Sequence, residues 1–277
     1  MIQDISPHHL YNEWQPDKQV SAADVVICVQ DGKLLTRIDD DGWRFPYYSE
    51  LPEAEDCCFL FAVDEKDFYL SFTPITENAT YRYLSLRDLR QHMSGSHTFM
   101  YIAYTAYHLA GWYQDNRFCG RCGAPTEQDE MERALRCPKC GRIIYPQLVP
   151  AIIVGVTDGD RLLLTKYANR KMSFYALIAG FTEIGETLEE CVAREVMEEV
   201  GLRVKNLRYY KSQPWGSARD ILMGFYCDVD GDTTIHLEED ELKEGIWVRR
   251  EEIEGQPDDF SLTHEMMMVF KAGKEPK

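Results

Sequence analysis

GFTEIGETLEECVAREVMEEVGL, the stretch from Gly180 to Leu202, decides the fold of this chain. It opens as a loop whose two glycines, Gly180 and Gly185, permit a tight turn. Thr187 then reads as the N-cap of a helix, and Glu190 three residues later completes a capping box. Gly201 is the expected stop just beyond the last turn. At 3.6 residues per turn, Glu195, Glu198 and Glu199 share one face within roughly a 100° arc. Ala193, Val196 and Val200 take the other side, which can pack on a core. Carboxylates three and four apart repel by a few tenths of a kcal/mol per pair, so something should compensate. Hard divalent cations are the usual answer. A merely solvated acidic face would carry the same charges, and the rest of the stretch argues against it.

The full spacing is Gly180, five residues, Glu186, seven residues, Arg194-Glu195-Val196, one residue, Glu198-Glu199, one residue, Gly201-Leu202. Seven polar or glycine positions so placed arise by chance less than about once in ten million starts. On these residues the chain resembles the Nudix hydrolases, which cleave a nucleoside diphosphate linked to another group.

Upstream stands a second strong pattern: Cys119 and Cys122, fourteen residues, then Cys137 and Cys140. Two CxxC knuckles at that separation predict a four-thiolate zinc ribbon, with Gly123 and Gly141 suiting the turns. A closed four-cysteine site has no open coordination position, so its role reads as structural. Nucleic-acid binding by the ribbon is the rival, kept alive by Arg117, Arg121, Arg133, Arg136, Lys139 and Arg142.

Further out, Val25 to Val29, a turn at Gln30-Asp31-Gly32, and Lys33 to Leu35 read as a β-hairpin. The phrase returns as Ile152 to Val156, Asp158-Gly159-Asp160 and Arg161 to Leu164. Trp43 to Pro46 likewise matches Phe174 to Leu177. Two ordinary hairpins would look similar, but the order suggests a duplicated strand scaffold. Leu51 to Asp67 holds no glutamate box, so the first copy reads as degenerate and non-catalytic. Residues 97 to 113 predict a helix with Phe99, Ile102, Ala103, Ala106, Leu109, Ala110 and Tyr113 on its core face. Ser212 to Trp215 reads as a loop, Ile221 to Cys227 as a strand, Glu238 to Glu244 as an acidic segment, Trp247-Val248 as a last strand and 261 to 271 as a closing helix. The expected class is α/β: a degenerate Nudix-like domain over 1–114, a zinc ribbon over 115–145, and a Nudix α/β/α sandwich with a mixed sheet over 146–277.

With 277 residues there is chain enough for two cores. No run approaches eighteen apolar residues and no basic-then-apolar stretch opens the chain, so neither membrane span nor signal peptide is expected. The net charge of −17 disfavours nonspecific binding to nucleic acid or anionic membrane. Nine cysteines, four of them in paired spacing, fit a reducing cytoplasm.

The ribbon, Tyr145-Pro146-Gln147, the box, and Ser212-Gln213-Pro214-Trp215 together resemble the NADH pyrophosphatase branch of the family. The resemblance implies hydrolysis of NADH or NAD⁺ to nicotinamide mononucleotide and AMP with Mg²⁺ or Mn²⁺. It also implies a homodimer, and NAD-cap removal from RNA in some relatives. It makes Glu195, Glu199, the Ala179 carbonyl and one late acid the metal ligands. That acid is taken as Glu241, with Glu244 as runner-up. Glu198 becomes a further ligand or the water-orienting base, and Arg194 a brace for the glutamates. Substrate contacts are expected from Tyr145, Phe181, Gln213, Pro214, Trp215 and Asp220, with Trp215 and Phe181 stacking on rings. The branch usually continues after the tryptophan with Pro-Phe-Pro and then a serine. Here Gly216-Ser217-Ala218-Arg219-Asp220 follows, which leads to the expectation of a looser loop and a weaker choice among substrates. ADP-ribose or dinucleoside polyphosphates are the alternative substrates, and a non-catalytic nucleotide sensor is the alternative class.

Overall fold

A computed structural model describes residues 1–39, 42–92, 96–168, 174–238 and 240–277. Contacts divide the chain into two compact units. The C-terminal unit comprises Met1–Ile2, Leu148–Trp215 and Asp220–Lys277, and the N-terminal unit comprises Gln3–Gln147 and Gly216–Arg219.

In the N-terminal unit, β1 (Leu10–Tyr11), β2 (Val25–Ile27), β3 (Val29–Gln30), β4 (Lys33–Asp39), β5 (Gly42–Arg44), β6 (Cys57–Val63), β7 (Lys66–Ser71) and β8 (Tyr81–Leu84) come first. The expected first hairpin forms, but its leading strand is broken at Cys28. Beyond the break β3 pairs with β4, while β2 pairs in parallel with β7. One sheet runs β1-β6-β7-β2; the other runs β3-β4-β5, with β8 also on β4. Helix α1 (Leu86–His92) leads to α2 (His97–Asp115), capped by Ser96. Of the expected core face of α2, Phe99 and Leu109 are only half-buried, whereas Met100, Tyr104 and Trp112 are buried as well. The helix is covered on more than one side, and a single periodic stripe understates that. Three short strands, β9 (Glu127–Gln128), β10 (Leu135–Arg136) and β11 (Ile143–Ile144), make the ribbon, with β10 in the middle.

The C-terminal unit is built on β12 (Val149–Asp158), β13 (Arg161–Tyr167), β14 (Ile178–Phe181), β15 (Val204–Trp215), β16 (Asp220–Val229) and β17 (Leu242–Arg249). The sheet order is β15-β16-β12-β13-β17, with β14 also on β12. Only β12 and β16 are parallel, so the sheet is mixed. β12 is almost wholly apolar because both its faces are covered. Ile152, Val154 and Val156 pack towards α3 (Leu188–Val200); Ile153 joins Leu162 and Leu164 towards α4 (Leu262–Lys271). Val192, Val196 and Val200 are wholly buried, each contributing about 1.5–3 kcal/mol. Ala193, expected in that core, is exposed because it lies at the margin of the buried arc. Met1 and Ile2, to which no pattern in the sequence points, are buried here, and Ile2 N–H donates to Phe260 O at 2.8 Å.

Residues 212–215 are not a loop. They complete β15, where Pro214 pairs with Ile221 and Trp215 with Asp220. β15 is an edge strand, and a proline without an N–H is tolerated there.

Candidate active site

The loop before α3 is built by hydrogen bonds that its own sequence supplies. Glu183 N–H donates to Glu186 Oε2 at 3.0 Å. Thr187 Oγ1 accepts from Glu190 N–H at 3.2 Å while Glu190 Oε2 accepts from Thr187 N–H at 2.8 Å, so the expected capping box is present. Gly201 closes the helix at φ 69°, in the left-handed conformation a C-cap glycine adopts.

Arg194 is the hub of the cluster. Its Nε and Nη2 reach Glu186 at 2.8 and 3.0 Å, and its Nη1 reaches Glu195 at 2.8 Å and Glu198 at 3.0 Å. Nη2 also donates to Phe181 O at 3.0 Å. Side-chain bonding to Arg194 holds the Glu186 carboxyl down at about 2. Glu186 carried no role beyond its place in the motif, and that fixed place was the only signal for this anchoring.

Glu195 is pushed upward, first by burial and then by the charges of Glu198 and Glu241, against the pull of Arg194. It lies flush on β14: a Cβ at Gly180 would come within 1.9 Å of its Cδ. Only glycine admits that approach beside the Ala179 carbonyl. Glu199 is 2 % exposed and sits among Val192, Val196 and Val200. The division of α3 into an acidic face and an apolar face is thereby corrected, since Glu199 belongs to the buried side. Glu198 remains exposed.

The acidic segment is tied to the end of α3. Backbone amides of His236 and Glu238 donate to the carbonyls of Val200 and Glu199 at 2.9 and 3.0 Å. Carbonyls that a helix end leaves open are thus satisfied by the segment itself. Glu241 is exposed, and its N–H donates to Glu238 O at 3.1 Å. Glu239 lies outside the described residues. Glu244 is engaged elsewhere, accepting from Lys166 Nζ at 2.8 Å and Tyr175 Oη at 2.7 Å, which lower its carboxyl.

A divalent cation suits this donor set. Buried Glu199, and Glu195 raised by burial and like charge on the Gly180 cradle, are hard-oxygen donors of the kind such an ion takes, and Arg194 is bonded to Glu195. Among the described residues only the four cysteines bring their ligand atoms within 4.8 Å of one another. Cys119 and Cys140 Sγ lie 3.6 Å apart and Cys122 and Cys137 Sγ 3.5 Å. A tetrahedral zinc with bonds near 2.3 Å needs sulfurs about 3.8 Å apart, so the cluster fits. Backbone amides, that of Arg121 foremost, hold the Cys119 thiol down at about 6. The ribbon's cations are partly spent. Arg133 Nη2 donates to Asn12 O and Leu60 O at 3.1 and 2.5 Å, and Arg136 pairs with Asp129 at 2.7 Å.

The substrate candidates divide. Phe181 is 51 % exposed at the end of β14, and Trp215 is half-buried at the end of β15. Tyr145 is exposed, and its hydroxyl donates to Glu132 at 2.7 Å, a partner no motif signalled. Gln213 is the exception. It is wholly buried, its Nε2 donating to Phe260 O at 2.9 Å and its Oε1 accepting from Leu262 N–H at 2.7 Å. Its carboxamide braces the start of α4 and is turned from any open surface. Pro214 is half-buried within β15. Asp220 is 5 % exposed, its Oδ1 has no hydrogen-bond partner among the described residues, and burial pushes its carboxyl up to about 6.

The expected looseness after Trp215 is not found. Gly216 is buried, and a Cβ there would meet Tyr104 O at 2.1 Å. Arg219 forms an ion pair with Asp115. The glycine serves a close backbone approach, and the turn 216–219 is docked.

Comparison with known proteins agrees with this geometry. The NUDIX domain matches residues 146–268, and the NADH pyrophosphatase zinc ribbon domain matches residues 114–145. The NAD-capped RNA hydrolase NudC of Klebsiella pneumoniae subsp. pneumoniae is 39 % identical over 166 residues, covering 60 % of this chain and 64 % of that protein. The protein of the same name from Salmonella heidelberg is 40 % identical over 145 residues, covering 52 % and 56 %. The match thus covers less than two thirds of the length of either relative. The crystal structure of a NUDIX hydrolase from Nitrosomonas europaea is similar with a TM-score of 0.49 and 24 % identity, over 57 % of this chain and 92 % of that one. With these two domains side by side over residues 114–268, the chain carries a NUDIX domain with the NADH pyrophosphatase zinc ribbon domain ahead of it.

Proposed function

We propose that the chain is a metal-dependent hydrolase that splits the diphosphate bond of NADH or NAD⁺ into nicotinamide mononucleotide and AMP. The observation that carries the reading is Glu195 seated on the Gly180 backbone, beside buried Glu199 and within the charge field of Glu241. Bound Mg²⁺ or Mn²⁺ would polarise the diphosphate and lower the pKa of the attacking water. Glu195, Glu199, Glu241 and the Ala179 carbonyl are the residues to hold it. Glu241 is preferred to Glu244 because Lys166 and Tyr175 already occupy Glu244. Exposed Glu198, paired with Arg194 at 3.0 Å, is the residue to orient the water and accept its proton, and Arg194 keeps the carboxylates in register. Trp215 and Phe181 are the ring-stacking candidates, with Tyr145 and Asp220 as further contacts.

The name of the relatives extends the substrate class to NAD-capped RNA. We read the ribbon as a structural zinc site and the chain as a cytoplasmic homodimer, in keeping with nine cysteines none of which forms a disulfide and with the family resemblance. We read residues 1–114 as a degenerate Nudix-like domain. In support, its parallel β2–β7 pair, its β6–β7 pair and its β4–β8 pair repeat the pairings β12–β16, β15–β16 and β13–β17.

The test is a product assay of the purified chain with NADH, ADP-ribose and a dinucleoside polyphosphate, with and without chelator. NADH is expected to be cleaved best and only with Mg²⁺ or Mn²⁺. Glu199→Gln should keep the fold and lower kcat by about two orders of magnitude or more. Turnover of ADP-ribose well above that of NADH would overturn the substrate, and near-normal turnover in the variant would overturn the ligand set.

A further inference from the structure

The backbone from Val25 to Gln30 parts at Cys28. β2 goes to β7, its last paired residues being Ile27 and Leu70, while β3 goes to β4. In the C-terminal unit the parallel pairing of β12 with β16 runs unbroken to Thr157 and Asp228. The residues at the parting line a cleft of about 1090 Å³ within the N-terminal unit, ample for a small organic ligand.

Its walls carry three kinds of group. Phe72 and Phe118 are 41 % and 60 % exposed, and Phe72 stands edge-on to Tyr113 with ring centres 5.7 Å apart. Gln114 Nε2 donates to Val29 O at 2.9 Å, which fixes the carboxamide and leaves its oxygen without a partner among the described residues. Arg117 is exposed, and its guanidinium has neither ion pair nor hydrogen bond among the described residues. Asp31 and Asp56 line the same cleft.

Two exposed rings on one cleft favour a flat ligand that covers them. A single guanidinium suits a single phosphate. With two carboxylates on the same cleft, each further phosphate charge is disfavoured, which argues against a polyphosphate or a nucleic-acid strand. Aromatic faces and carboxylates together favour a ring that bears positive charge. We propose that this cleft binds nicotinamide mononucleotide, with the pyridinium ring against Phe72 and Phe118, its amide N–H on Gln114 Oε1 and its phosphate on Arg117. The assignment does not rest on the catalytic reading. Should both hold, the cleft senses a product of the chain's own reaction.

The test is calorimetric titration of the full, zinc-loaded chain without Mg²⁺ or Mn²⁺, so that nothing is turned over. Nicotinamide mononucleotide, its reduced form with a neutral ring, and AMP are compared. The oxidised mononucleotide should bind best, and its binding should survive Trp215→Ala. Phe72→Ala and Arg117→Gln should each weaken it about five- to tenfold. Arg117 is a surface residue, so its variant keeps the test valid if Phe72→Ala fails to fold. No binding at millimolar concentration would overturn the site. So would binding that is lost with Trp215→Ala and indifferent to Arg117→Gln. AMP bound as tightly as the pyridinium compound would overturn the ligand.

Discussion

The amide of Glu238 donates to the carbonyl of Glu199 at 3.0 Å. This bond joins the end of the box helix to a segment more than thirty residues further along the chain. It closes one of the carbonyls a helix leaves open and, in doing so, fixes where the acidic segment begins. Glu241 then stands near enough for its charge to raise Glu195.

From that relationship Glu241→Gln is expected to weaken activation by Mg²⁺ and to lower kcat about a hundredfold. Glu244→Gln should leave metal dependence unchanged, because it breaks only the contacts with Lys166 and Tyr175. Titrating Mg²⁺ into both variants checks this. A larger loss of metal activation in Glu244→Gln would reverse the assignment.

The ribbon should hold one zinc per chain after the catalytic metal has been removed, because thiolates are soft ligands and carboxylates are hard. Cys137 is wholly buried in the knuckle, and Cys137→Ser should lower zinc content and melting temperature together. Elemental analysis of freshly purified protein decides the point. A zinc-free chain with a normal melting temperature would sink the prediction.

Asp220 gives a pH dependence with a definite sign. Its carboxyl is raised from 3.8 to about 6 by burial, so the folded state prefers the neutral acid. The stability this contributes is full below the unfolded value of 3.8 and is lost as pH rises through 6. At pH 7.5 the ionised, buried group is a burden on the order of 3 kcal/mol. Asp220→Asn should therefore melt higher than the parent at pH 7.5 and about equal to it at pH 4. An equal difference at both pH values would show that burial of the charge is not the cause.

Trp215 ends β15, where it pairs with Asp220 of β16. A ring held in this way can discriminate by stacking, worth about 0.5 to 1.5 kcal/mol beyond burial, or at most about tenfold. Trp215→Ala should raise KM for NADH by that factor and leave a small ADP-linked substrate little changed. Equal losses on both substrates would mean that Trp215 supports the fold and reads no ring.

Local chemistry in the sequence was enough for the parts that depend on neighbours along the chain. Thr187 and Glu190 form the cap, Gly201 ends the helix, and the four cysteines close within 4.8 Å, because each needs only short-range geometry. The strand from Ile152 to Val156 was equally legible, and in the structure its period of two sends Ile152 and Ile153 to opposite cores.

Contacts made across long separations were decided by the tertiary structure alone. Helical spacing put Glu199 on an acidic face, yet the sheet below α3 covers an arc wide enough to bury it. Gln213 looked open in its motif until Phe260 and Leu262 claimed its carboxamide. Gly216 suggested slack, although its missing Cβ makes room for the carbonyl of Tyr104. Val25 to Val29 reads as one strand, and only the competition between β7 and β4 for its two halves breaks it at Cys28. A residue's own type and spacing set its helix, turn or strand preference. Whether its side chain meets solvent, a core or a carbonyl depends on surfaces brought together from distant parts of the chain.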